Sequence, residues 1–295
     1  MFARLLANLI GGTGEGWTQS IVRYATIALF TAIGLTFMGL ANEIVILAFG
    51  LILGSGAIAA AVNSQYEGSD DYRFIPAAFI RGKVGNISFT TRGLGLYVDF
   101  LSSESNVDFD LGPIVALRLN RTGKIKDDFV DALPERDAAI EVGGFAGVSF
   151  KGVTNPYDSL GFRLDVTHDI GGAHGSTIWS PNIDFSTPLS RTFFVSVNGG
   201  LDFVGNGYAD CYFSIPAADA LASGLPVYDA DGGMKSWKVG LLANLSLSGD
   251  LRRGWSIFGL ANHSRLVGDF KDSPIVEDRG SPSQWLGALG VAYSW

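Results

Sequence analysis

Leu160-Gly161-Phe162-Arg163-Leu164-Asp165-Val166 sets an apolar residue at every even position and glycine, arginine or aspartate between them. This period-2 pattern is that of a β-strand with one apolar and one polar face. The pattern recurs along the chain. Val107, Phe109, Leu111, Val115 and Leu117 alternate with Asp108, Asp110 and Arg118, and Ile140, Val142, Ala146, Val148 and Phe150 with Glu141, Ser149 and Lys151. Phe193, Val195, Val197, Leu201 and Phe203 alternate with Ser196, Asn198 and Asp202, and Trp237, Val239, Leu241, Ala243 and Leu245 with Lys238, Asn244 and Ser246. No stretch after Tyr66 keeps a 3.6-residue apolar period, so the chain reads as all-β.

Alternation fits a soluble sandwich as well as a barrel, and strand length and face chemistry decide between them. The segments run to roughly 10 to 14 residues, long for a sandwich and suited to the 9 to 11 tilted residues that cross a bilayer. Their apolar faces carry large side chains. The opposite faces mix charges of both signs with glycine and serine, as a polar lumen requires. Trp179, Trp237, Trp255, Trp285, Tyr293 and Trp295 fall near expected strand ends, where interfacial girdles form.

The expected fold is therefore a transmembrane antiparallel up-and-down β-barrel. Strand starts fall near 51, 72, 86, 107, 138, 159, 175, 191, 235, 254 and 284. Bacterial barrels favour even numbers, and Arg92-Gly93 can split the segment from 86 to 103 in two, so twelve strands are preferred and ten come next. Pro188-Leu189-Ser190 and Gly249-Asp250-Leu251-Arg252 read as short periplasmic turns. The long stretches 121–137, 205–234 and 267–283 are expected to face outward; Pro134, Pro216, Pro226, Pro274 and Pro282 fall in them, where no ladder N–H is needed.

Composition excludes other classes. Charged residues make up 17% of the 295 residues, against roughly 25% in soluble domains, and 39 glycines accompany a mean hydropathy of +0.26. Net charge is -8 with no Lys/Arg stripe, which argues against nucleic acid. Lone Cys211 closes no intramolecular disulfide, His168, His174 and His263 have no zinc-ligand spacing, and no cofactor is expected.

Residues 1–41 read as a secretory signal peptide. Arg4 and Arg23 give a basic flank, Ala25 to Met38 an apolar run too short to span a membrane as a helix, and Gly39-Leu40-Ala41 a small-residue cleavage site. The mature barrel is then 42–295, with its first strand in the Gly-rich apolar stretch Ile44 to Val62.

Three segments carry a family resemblance. Tyr66-Glu67-Gly68-Ser69-Asp70-Asp71-Tyr72-Arg73-Phe74 resembles the opening motif of the MipA/OmpV family of outer-membrane proteins. Tyr212-Phe213 followed by Ala222-Ser223-Gly224-Leu225-Pro226, Tyr228 and Gly232-Gly233 resembles its long loop. Ser264-Arg265-Leu266, Gly268-Asp269 and Asp272-Ser273-Pro274-Ile275-Val276-Glu277-Asp278-Arg279-Gly280-Ser281 resemble its last loop. The resemblance implies an outer-membrane barrel. It also implies partners, since members include a protein linking a murein transglycosylase to a penicillin-binding protein. Gly290, Tyr293 and Trp295 follow the Gly-x-x-aromatic-x-aromatic ending that resembles the signal read by the barrel-assembly machinery, so outer-membrane lipid and that machinery are expected partners.

Catalytic chemistry is largely declined. Arg163 and Asp165 point into the lumen together and have Arg118, Glu141, Asp184 and Asp202 as candidate neighbours, a salt network filling the barrel or, less favoured, a selectivity constriction. His263 and Ser264 are adjacent on a strand and face opposite ways, so they cannot form a dyad. His168-Asp169 and His174 around Gly171-Gly172 suit hairpin capping better than a rim hydrolase. Glu67, Asp70 and Asp71 read as a solvated turn rather than a Ca²⁺ site. The expected function is a non-enzymatic scaffold or interaction protein, with a narrow passive channel for small solutes as the alternative.

Overall fold

The computed structural model describes residues 54–84, 87–101 and 105–294. The expected leader, its cleavage site, the apolar stretch before Gly54 and Trp295 lie outside the described residues.

Twelve described strands form one closed antiparallel barrel in which each pairs with its chain neighbours and the last closes on the first. They are β1 (Gly54–Ser64), β2 (Tyr72–Val84), β3 (Ile87–Arg92), β4 (Gly95–Asp99), β5 (Val107–Arg118), β6 (Ala139–Lys151), β7 (Ser159–Asp169), β8 (Thr177–Pro188), β9 (Phe193–Val204), β10 (Gly233–Ser246), β11 (Gly254–Leu266) and β12 (Ser283–Ser294). The segment from 86 to 103 is indeed split at Arg92-Gly93, where Gly93 takes a left-handed φ of 56° and turns β3 back into β4. That split makes the count twelve.

Alternation sets the two faces. Phe162 and Leu164 are exposed on the outside of β7, whereas Gly161, Asp165, Thr167 and Asp169, at the alternate positions, are buried inside. Leu111, Ile183, Val197, Leu241, Ile257 and Leu289 continue the exposed apolar band. Such a surface is stable against lipid and not against water. Leu164 pairs with Ala146 and Pro181 on the same band. Leu164→Arg is expected to lower folding stability in bilayers by about 2 to 4 kcal/mol if it lies near the midplane. Urea titration in vesicles reads this, and a variant as stable as wild type would reverse the inside-outside assignment.

Aromatic rings collect at both ends of the band. His263 sits between Trp237 and Trp285, with centroids at 5.3 and 4.5 Å, toward the long loops. Trp255 meets Tyr293 at 5.1 Å toward the opposite end.

One sequence expectation is corrected. The inner wall is not polar all round: Ala61, Phe258 and Ala288 are buried, while their outward neighbours Ile257 and Leu289 are exposed, and Phe79 packs edge-on against Phe258 at 5.9 Å. Alanine and glycine there leave the small faces that let β1 and β12 approach. The long loops show no 3.6-residue apolar period in the sequence, yet they are helical in part. They carry α1 (Asp128–Asp131), α2 (Asn206–Tyr212), α3 (Ala217–Ser223), α4 (Asp269–Asp272) and α5 (Pro274–Glu277). With seven residues at most, none completes the two turns over which an apolar period becomes visible.

Candidate functional site

Burial in this molecule is inverted. Most of its fully buried large side chains, among them Tyr208, Tyr212, Phe213, Phe270, Ile215, Ile275 and Val276, lie in loops at one end of the barrel. One cluster joins Tyr208, Tyr212 and Phe213 to Phe270, Val276 and the strand ends Ile178, Val204 and Leu266. A second draws Tyr66, Ile125, Val130, Leu133, Ile215, Leu225 and Ile275 from four different loops. At about 1.5 to 3 kcal/mol per fully buried apolar side chain, these clusters give the loops a core of their own. The loops fold together into a cap.

Polar contacts tie the cap together. Ser273, wholly buried, donates to the Phe213 carbonyl at 2.6 Å. The Tyr66 hydroxyl reaches the carbonyls of Ile275 and Arg279, both at 3.4 Å. Gly68 has a φ of 101°, and a Cβ there would meet Val276 Cγ2 at 2.5 Å. The Ser281 N–H donates to the Gly68 carbonyl at 2.8 Å, and Gln284 Nε2 to the Ser69 carbonyl at 3.1 Å. Arg279 Nε donates to Asp127 at 3.0 Å, joining the last loop to the N-cap of α1. Burial alone would raise the Asp127 pKa, but Arg279 and the N–H groups of Val130 and Phe129 hold the carboxyl below its ordinary value. The segments that carry the family resemblance thus converge in one structure. Pro274 opens α5 and is buried; Glu277 and Asp278 remain exposed.

Beneath the apolar clusters lies a charged layer. Glu67 Oε1 accepts from Arg118 Nη1 at 3.1 Å and from Lys235 Nζ at 3.0 Å. Arg118 ends β5 and Lys235 lies in β10, strands separated by five steps one way round the ring and seven the other. One carboxylate oxygen therefore bridges nearly opposite walls of the barrel. The Tyr208 hydroxyl donates to Glu67 Oε2 at 2.6 Å, and its ring faces Arg118 at 5.2 Å and Lys235 at 5.0 Å. Arg118 also forms a forked pair with Glu141, through Nε at 2.6 Å and Nη2 at 3.3 Å. His174 Nε2 lies 3.4 Å from the same carboxylate. Burial opposes the charge on Glu67, yet Lys235 and Arg118 outweigh it and hold its pKa below the ordinary carboxylate value. Burial, reinforced by the Glu67 charge, pushes the Tyr208 phenol well above its own.

Lys235 reaches this layer through a backbone irregularity. Trp237 and Val239 face outward, so strict alternation would send Lys235 into lipid. The register between β9 and β10 shifts at this residue, from Met234↔Phe203 to Ser236↔Asp202, and Lys235 and Ser236 are both buried. A bulge of this kind re-aims one side chain. Alternation has no means of revealing it.

Deeper in the lumen Arg163 pairs with Asp165 on its own strand at 2.6 Å rather than with a neighbour, and Lys238 pairs with Asp202 at 2.9 Å. Arg92 and Arg163 flank the Tyr97 ring at 5.2 and 5.5 Å, and Asp184 lies within electrostatic reach of both. The acidic residues of the first turn separate: Glu67 faces the lumen, Asp71 pairs with Lys126 at 2.5 Å, and Asp70 is exposed. Among the described residues no group of three metal-binding side chains converges. The histidines are dispersed. His168 meets Thr177 at 3.0 Å, His263 meets Ser283 at 2.8 Å, and Asp169 caps its hairpin through the N–H groups of Gly171, His174 and Gly175.

Residues 56–295 match the family described as MltA-interacting protein MipA. The chain belongs to the MipA family. This MipA-family barrel, with its lipid-facing band and aromatic girdles, is an outer-membrane protein. No curated protein matches the sequence. Among solved structures the chain is similar to a KdgM porin, with a TM-score of 0.42 and 9% identity over 82% of this chain and 99% of that one. It is also similar to the COG4313 outer membrane channel from Pseudomonas putida F1, with a TM-score of 0.43 and 9% identity over 82% and 96%. The assembly-motif residues Gly290 and Tyr293 of the MipA-family chain lie on β12, Gly290 facing in and Tyr293 facing out.

Proposed function

We propose that this barrel is a non-catalytic scaffold that holds murein-remodelling enzymes at the outer membrane, a transglycosylase of the MltA kind and a penicillin-binding synthase. The description of its family supplies the first partner, and the family resemblance the second. The observation that favours a scaffold over a passive channel is the Glu67 bridge. A solute passing through the lumen has to displace Tyr208 from between two cations, part a carboxylate from both walls and lift an apolar core above them.

The purified barrel is expected to be electrically silent in planar bilayers and to retain a soluble MltA-type transglycosylase in a two-component pull-down. Discrete open steps without retention of the enzyme would replace the scaffold by the channel.

A further inference from the structure

Arg121, in the loop between β5 and β6, has a left-handed backbone with a φ of 58°. A residue with a β-carbon holds that conformation only where its surroundings impose it, and such strain gathers at binding sites. The residue is 3% exposed. Nη1 and Nη2 make long 3.4 Å contacts to the carbonyls of Tyr212 and Pro134, and Nε has no hydrogen-bond partner. Among the described residues no carboxylate lies within ion-pair distance of it. Arg136, whose Nε is also buried and unpartnered, adds to the positive charge, and its N–H donates to the Arg121 carbonyl at 2.9 Å. Burial and then Arg136 push the Arg121 guanidinium down to about 10. A guanidinium buried near another, with no carboxylate in ion-pair contact and only the more distant Asp219 charge to offset it, is a costly arrangement unless something completes it.

A cavity of about 270 Å³ adjoins this residue; its lining sets Arg121 and Lys124 with the carboxylates Asp131 and Glu135 around the apolar Ile125, Val130, Leu133 and Pro134. Of these two carboxylates, Asp131 accepts from the Ile125 N–H at 2.7 Å, and Glu135 is exposed and free to turn to solvent. We propose that the cavity binds a phosphomonoester group, its oxygens on Arg121 and Lys124 and its organic body against Ile125, Val130 and Leu133. A phosphomonoester carries roughly -1.5 to -2 at neutral pH, which suits a site holding both Arg121 and Lys124 better than a single carboxylate does, and the planar guanidinium donors of Arg121 match its oxygens. The volume approaches the roughly 300 Å³ at which small-molecule sites begin, leaving room for a sugar beside the phosphate. The same chemistry occurs in a soluble sugar phosphate and in the headgroup of a phosphorylated lipid.

The full chain is refolded in neutral alkyl-maltoside micelles and titrated calorimetrically with glucose 1-phosphate at low salt. In parallel it is reconstituted into phosphatidylcholine vesicles doped with diphosphoryl lipid A or with its dephosphorylated counterpart, and its heat stability is read from the folded gel band. Binding of one glucose 1-phosphate per barrel identifies a soluble ligand; a stability gain confined to diphosphoryl lipid A identifies a headgroup. Either result is expected to weaken about tenfold or more in Arg121→Gln, the loss of one hydrogen-bonded charge. Lys124→Gln, at an exposed position, weakens it severalfold and serves should Arg121→Gln not fold. Neither binding nor stabilisation, equal stabilisation by the dephosphorylated lipid, or an effect unchanged in Lys124→Gln would overturn the site.

Discussion

Glu67→Ala barrels are expected to show intermittent, discrete conductance steps in planar bilayers where the native barrel is silent. The substitution leaves Lys235, 5% exposed, without its carboxylate and with the Tyr208 hydroxyl at 3.3 Å as its remaining polar contact. Arg118 keeps Glu141. Removing one partner of a buried pair costs about 3 to 5 kcal/mol, and with a quarter of its side chain exposed Glu67 belongs at the lower end, about 3 kcal/mol. That is comparable with the loss of one or two buried side chains from the apolar clusters. The cap is therefore expected to flicker rather than unfold, with faster amide exchange at Tyr208 and Phe213. The pH dependence has a definite sign. The Glu67 pKa is lowered in the folded barrel, so its contribution is fully present above the unfolded carboxyl value of about 4.3 and is lost as pH falls through the lower folded value. Native barrels should then stay silent from neutral pH to near that value and open only below it, whereas Glu67→Gln, which keeps a hydrogen-bond acceptor for Tyr208 but no charge, should flicker throughout. Silence of Glu67→Ala with unchanged exchange would show that the apolar clusters close the mouth without the bridge.

The barrel was readable in the sequence because a strand between lipid and lumen must alternate, and β5 to β12 do so over eleven to fourteen residues each. The cap was not readable for the same reason. Its helices are shorter than the period that would announce them, and its cores join residues such as Tyr66 and Ile275 that only three-dimensional closure brings together. Glu67 was legible as part of a motif, but its partners were not. Lys235 occupies an outward position by alternation and turns inward only through the bulge. Arg121 looks like any loop arginine until its burial and left-handed backbone are seen. The resemblance segments pointed to the right loops, and the structure supplies the physical link between them: Gly68, Val276 and Gly280 pack so closely that a Cβ on Gly280 would meet the Gly68 carbonyl oxygen at 1.9 Å.

Gly290→Ala is expected to abolish formation of the heat-resistant folded band, while Gly287→Ala, three residues earlier on the same strand, folds normally. A Cβ at Gly290 would lie 2.2 Å from the Ile58 carbonyl oxygen and 2.7 Å from two carbons of the Phe258 ring, whereas one at Gly287 meets nothing within 4 Å. The ring carbons can swing aside; the carbonyl is backbone of the strand that β12 must pair with to close the barrel. Overpacking relieved by side-chain movement costs about 1 to 3 kcal/mol, and a backbone collision at the closing seam lies at or beyond the top of that range. Gly290 also stands in the motif that resembles the assembly signal, so loss of folded protein in cells has two explanations. Refolding in detergent, with no assembly machinery present, separates them. If the seam is the cause, Gly290→Ala fails there too. If it refolds to the wild-type band in detergent and is lost only in cells, the glycine serves recognition, and the close approach of β12 to Ile58 is not what demands it.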